Sequence, residues 1–204
     1  MSYPISFNLL GDGPYAGTLD GRILKYQKLT NSFMDFATAT PTSVNKTPIC
    51  GFPTGSSFDY TGRLFSCDIT TGVTVVGPFG GLAKALLFPL KTECLSFSFL
   101  AWMLQENQNL YFADASGVFN FTTGAEAIRT GDSTGRLLEY NPKTKKVTTL
   151  LANLGGALGV ATAAGASYVL VSEFIAKRIK RYWLKGEKAG TSEIIVVVLL
   201  DQIF

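Results

Sequence analysis

Four stretches of this chain repeat nearly the same phrase: GRILKY from Gly21, GRLFSCD from Gly62, GRLLEY from Gly135 and KRIKRYW from Lys177. Arg22 and Arg63 lie 41 positions apart and Arg136 and Arg178 lie 42 apart, whereas the middle interval, Arg63 to Arg136, is 73. A recurrence of about 40–45 residues that each hold several strands is the mark of propeller blades. One four-stranded sheet cannot bury both of its faces, so such units stack on their neighbours around a channel. At roughly 45–50 residues per blade the chain has room for about four. The long middle interval predicts a degraded copy or an insertion.

Each phrase reads as a strand that follows a turn. Glycine permits the turn, the arginine sits at the wet end, and the apolar–x–aromatic tail packs between blades. The segments KKVTTLL, SYVLVSEF and RIKRYWL alternate in the same way, and clusters such as LGDGPYAGTLDG, GDSTG and YNPKTKK punctuate them. No segment of twelve or more residues keeps a helical period with clean caps. GGLAKALLF, from Gly80, reads as strand and turn rather than helix.

Composition narrows the chemistry. The 204 residues include no histidine, which removes the usual general base near neutral pH and every Ser–His or Cys–His pair. Acid–base work must then fall to Asp, Glu, Lys or Tyr. The three cysteines, Cys50, Cys67 and Cys94, allow either one disulfide or three buried thiols. The net charge of +3 is too small to imply a nucleic-acid partner. The basic run from Lys177 to Lys188 reads as a solvated strand-and-turn face rather than a nucleic-acid or membrane patch. The longest apolar run, Ile194 to Leu200, falls far short of the roughly 20 residues of a membrane helix, so no membrane partner is expected. The N-terminus lacks the pattern of a signal peptide, which leaves a cytoplasmic location open. Asn45 and Asn120 begin glycosylation sequons that matter only in the secretory pathway.

Longer stretches are similar to one family. GDGPYAGTLDGRILKY, PICG at Pro48–Gly51, VVGPFGGLAKAL, LYFADAS at Leu110–Ser116, TGRLLEYNPKTKKVTTLL and VLVSEFIAKRIKRYWLKGEKAGTSE together resemble the plant strictosidine synthase-like family, from about Pro4 to Glu193. The resemblance implies an all-β, six-bladed propeller, present here as a single incomplete domain of about four blades over residues 1–204. It also implies a lyase-type Pictet–Spengler condensation of tryptamine with the aldehyde secologanin in alkaloid biosynthesis. Small-molecule amine and aldehyde partners follow, as does a glycosylated protein of the endomembrane system or vacuole.

Departures from the family pattern qualify that expectation. The resemblance places the general-base glutamate in a later blade, past Phe204, so the chain reads as C-terminally truncated, without a catalytic residue and inactive alone. Its tail, IIVVVLLDQIF, leaves the pattern after Glu193. The family's cysteine upstream of PICG is missing. Calcium-dependent lactonase and esterase relatives place oxygen ligands where this chain has Ile5, Ala101 and Leu158, so no metal and no cofactor is expected. Three residues remain as a candidate substrate-binding set. Phe119 falls where the family often has a pocket tyrosine, and reads as an aromatic wall or as ordinary inter-blade packing. Asp114 and Glu173 stand at strand ends. They read either as carboxylates that hold a cationic amine or as hydrogen-bond anchors for a neighbouring backbone or arginine. Tyr182 and Trp183 read as core. The alternatives to the synthase reading are a non-catalytic propeller fragment that binds a small ligand or a protein, and a degenerate relative of the calcium-dependent hydrolases. Open blade faces would favour self-association.

Overall fold

A computed structural model describes residues 5–38, 53–68, 72–87, 98–100 and 109–197. The PICG segment, Asn45, Cys50, Cys94 and Ala101 lie outside the described residues. The chain divides into two compact units, residues 1–100 and 101–204.

The first unit holds β1 (Ile5–Ser6), β2 (Tyr15–Gly17), β3 (Arg22–Gln27), β4 (Ser32–Thr38), β5 (Pro53–Phe58), β6 (Leu64–Asp68), β7 (Gly72–Val76), β8 (Gly81–Leu82), β9 (Lys84–Leu87) and β10 (Ser98–Leu100). One sheet runs β1-β2-β3-β4-β8 and another β5-β6-β7-β9. All of these pairings are antiparallel except β4 with β8, which is parallel. GGLAKALLF is thus strand and turn, as its glycine pair suggests. Alternation selects the core: Tyr15, Ile23, Ala37, Phe58, Leu64 and Val76 are buried together. The Tyr15 ring meets Phe36 and Phe58 edge-on, with centroids 4.9 and 4.6 Å apart, an arrangement the aromatic quadrupole favours. Cys67 is buried in β6.

The second unit holds β11 (Leu110–Asp114), a 3-10 turn (Phe121–Thr123), α1 (Gly124–Thr130), β12 (Gly135–Asn141), β13 (Lys146–Leu154), β14 (Ala157–Thr162), β15 (Tyr168–Glu173), β16 (Arg178–Trp183) and β17 (Ser192–Val197). Strands β11, β12 and β13 pair antiparallel in that order, and so do β14 to β17. Tyr111, Ala113, Leu137, Leu154, Ala157, Val160, Val169 and Val171 form the core between these two sheets.

The repeated phrase occupies one structural position four times. It opens β3, leads into β6, and opens β12 and β16, each after the turn that reverses the chain. Gly21 and Gly62 sit there with φ of 80° and 79°, a region open to glycine and costly to other residues. In the fourth copy Lys177 takes the same place with φ of 51°. Gly135 is glycine for a different reason: a Cβ on it would lie 2.7 Å from the Leu154 carbonyl oxygen and 2.8 Å from that of Ala115.

The long middle interval includes an insertion. Residues 18–21, 59–63 and 174–177 make the short turns before three of the phrases. Before the third, residues 115–134 intervene and carry the 3-10 turn and α1. The insertion is pinned at its base. Thr134 Oγ1 donates to Asp132 Oδ1 (2.8 Å) and accepts from the Gly117 N–H (2.8 Å), and Ser116 Oγ accepts from the N–H groups of Val118 and Phe119.

Candidate functional site

The arginine of each phrase, read from sequence as a wet end, is instead a latch on a carboxylate that precedes it. The four arginine side chains keep 42, 41, 30 and 29 % of their exposure. In the first copy the partners are themselves exposed: Arg22 Nε donates to Asp20 and its Nη1 to Asp35, each at 2.8 Å. In the second the carboxylate is fully buried. Asp59 accepts from the Thr61 and Arg63 N–H groups, from the Thr61 hydroxyl and from Arg63 Nε (2.6 Å). A buried charge survives only when it is paired and hydrogen-bonded, and these latches supply that pairing at the ends of the sheets.

The candidate residues Asp114 and Glu173 occupy the third and fourth latches. Asp114 is directly opposite Arg136 in the β11–β12 ladder, and its Oδ2 accepts from Arg136 Nε (3.1 Å) and Nη2. Glu173 is opposite Arg178 and accepts from its Nε (2.7 Å) and Nη2 (3.0 Å). This two-point contact fits the planar guanidinium. Lys180 Nζ stands 3.5 Å from the same carboxylate. Burial works to raise the Glu173 pKa. The Arg178 and Gly155 hydrogen bonds and the Lys180 and Arg178 charges outweigh it and hold the group below the ordinary glutamate value.

Glu173 also fixes the passage from one sheet to the next. Its Oε2 accepts from the Gly155 N–H (2.8 Å), in the short link between β13 and β14. The turn after β15 closes on the same link. The N–H groups of Phe174 and Ile175 donate to the carbonyls of Gly156 and Gly155 at 2.8 and 3.0 Å. The link has no room for side chains. A Cβ on Gly155 would lie 2.8 Å from Ala176 Cβ, and one on Gly156 2.8 Å from Ile175 Cγ1.

Phe119 lies on the insertion, half-buried. Asn120 next to it caps the 3-10 turn, with Oδ1 accepting from the Thr122 and Thr123 N–H groups at 3.0 and 3.1 Å. Ile5 is largely exposed and Leu158 half-buried. The basic run is largely engaged. Arg178 and Lys180 pair with Glu173, while Arg181 and Lys188 pair with Glu193. Arg181 also stacks on the Tyr168 and Trp183 rings, 4.7 and 4.9 Å from their centroids.

At the opposite ends of the same strands lies a cleft of about 240 Å³, lined among others by Tyr111, Glu139, Leu150, Tyr182, Leu184 and Lys185. Tyr111 and Glu139 face each other across β11 and β12. Burial first, then the charge of Glu139 and a hydrogen bond to it, push the Tyr111 phenol well above its ordinary value. Asn109 Nδ2 donates to Glu139 Oε1 at 2.7 Å. The sequence reading placed Tyr182 in the core. The structure packs it against the core and also brings it to the wall of this cleft.

Residues 103–187 match the family model described as Strictosidine synthase. The chain is 37 % identical over 199 residues to the protein STRICTOSIDINE SYNTHASE-LIKE 10 of Arabidopsis thaliana, covering 93 % of this chain and 53 % of that protein. It is 34 % identical over 206 residues to the strictosidine synthase of Catharanthus roseus, covering 95 % of this chain and 58 % of that enzyme. The chain therefore spans about half the length of the curated relatives it matches. Among solved structures it resembles a protein described as a TolB of Agrobacterium tumefaciens, with a TM-score of 0.65 at 11 % identity, covering 96 % of this chain and 62 % of that one. It also resembles regucalcin from the same organism, with a TM-score of 0.61 at 9 % identity, covering 94 % and 57 %. Likeness at such low identity speaks for the fold alone, and with four sheets and little helix it makes this chain part of a β-propeller. Taken with the sequence relatives, the chain belongs to the strictosidine synthase-like family.

Proposed function

We propose that residues 1–204 form the scaffold portion of a strictosidine synthase-like propeller and do not by themselves condense an amine with an aldehyde. The amine and aldehyde class is carried over from the relative named strictosidine synthase. Condensation of tryptamine with secologanin needs a group that takes a proton from the ammonium and later one from the ring carbon. The observation that supports the reading is the latching of Asp114 and Glu173, the two carboxylates read from sequence as possible holders of a cationic amine, on arginines of their own sheets. A carboxylate held below its ordinary pKa is a weaker base, and the chain has no histidine to replace it.

The test is direct. Residues 1–204 are incubated with tryptamine and secologanin, and strictosidine is followed by mass spectrometry. No product above the no-protein control is expected. Product that grows with protein concentration would overturn the reading.

A further inference from the structure

The carboxylates buried at the latch ends, Asp59, Asp114 and Glu173, each have an arginine. Glu139, half-buried at the opposite end of β12, does not. Among the described residues no lysine or arginine pairs with it, and the Asn109 side-chain amide, a neutral donor, holds it. Asn109 and Tyr111 are both buried, at 7 and 3 % exposure, and Tyr111 stands directly opposite Glu139 in the ladder. The carboxylate is therefore positioned at the cleft by a buried neighbour, with no cation paired to it among the described residues. Lys185 lines the same cleft, and its Nζ donates to the Gly165 carbonyl oxygen at 3.0 Å.

We propose that this cleft binds a small organic ammonium ion, its charge on Glu139 and its apolar part among Tyr182, Leu150 and Leu184. A fixed carboxylate beside apolar and aromatic walls suits an ion with one charged and one apolar end, because the tyrosine faces attract a cation and the leucines cover carbon. The volume sets the size. About 240 Å³ is below the roughly 300–1,000 Å³ of drug-sized pockets, so the ligand is a compact amine. A bare calcium ion fits poorly, since it takes about 6–8 oxygens and no group of three or more His, Cys, Asp or Glu side chains stands together among the described residues. The cleft lies at the other end of the strands from the latched carboxylates and uses neither of them, so the proposal stands whether or not the chain catalyses condensation.

Calorimetric titration of the full chain with benzylammonium chloride tests it, with benzyl alcohol as the neutral probe of nearly the same shape. Benzylammonium should bind saturably, and at least tenfold more tightly than benzyl alcohol. Glu139→Gln, which keeps the size of the side chain, should remove that preference. Absence of saturable heat, equal binding of the two probes, or an unchanged preference in Glu139→Gln would each overturn the proposal. Should the variant fail to fold, the comparison of the two probes on the unaltered chain decides alone.

Discussion

A glutamate with an arginine opposite it can hold a fold together or hold a ligand, and Glu173 does the former. Glu173→Gln removes the charge and leaves Arg178 and Lys180 beside a neutral group. The expected loss is about 2–3 kcal/mol, below the roughly 3–5 kcal/mol of a fully buried broken pair because Arg178 keeps part of its exposure. The loss should depend on pH with a defined sign. The folded pKa of Glu173 lies below its ordinary value of 4.5, so its contribution is fully present above about pH 4.5 and fades as pH falls through the folded value. Urea midpoints of the parent and Glu173→Gln should therefore converge in acid, and a gap that stays constant from pH 7 to pH 3 would contradict the latch. Little of this was legible beforehand. An acid does precede each arginine, as in DGR, DYTGR and SEFIAKR, but sequence does not say which hairpin ends are buried. Nor could it pair Tyr111 with Glu139, because the insertion between them sets their separation.

Strands and turns were the legible part of the elements, because alternation and glycine act within a few residues. The insertion was not. Residues 115–134 are too short and too broken for a helical period, and α1 continues from the Asn120-capped 3-10 turn and ends at Gly131, whose N–H donates to the Ala127 and Ile128 carbonyls. The link between β13 and β14 was equally silent, since its tightness comes from the turn packed on it. That link offers a test at this scale. Gly156 and Gly165 both have positive φ, 67° and 82°, so alanine strains both alike. Only at Gly156 does a Cβ also collide, with Ile175. Gly156→Ala should cost about 1–3 kcal/mol more than Gly165→Ala, the range for overpacking, read as the difference in melting temperature. Equal losses would mean that the link is looser than it looks.

For the whole molecule, the recurrence near 41 residues was enough to indicate a propeller of about four sheets. The final strand carries the consequence for solution behaviour. Among the described residues β17 lies at the end of its sheet, paired with β16 alone. It exposes Ile194, Val196 and Val197, which makes it a β-branched edge free of proline, the kind that recruits further strands. Sedimentation velocity should show association that grows with concentration. A single monomeric boundary across the micromolar range, with one cooperative melt, would refute this. The clasped insertion has the opposite character. Stretching a turn from the length of residues 174–177 to that of 115–134 adds only about 1.4 kcal/mol of loop-closure entropy, at ~0.6 kcal/mol per doubling. That is the worth of about one hydrogen bond, and the Ser116–Thr134–Asp132 clasp offsets it. Selection can therefore lengthen, shorten or rewrite what lies beyond the clasp while the strands on either side keep their register, which leaves this loop open to evolutionary change.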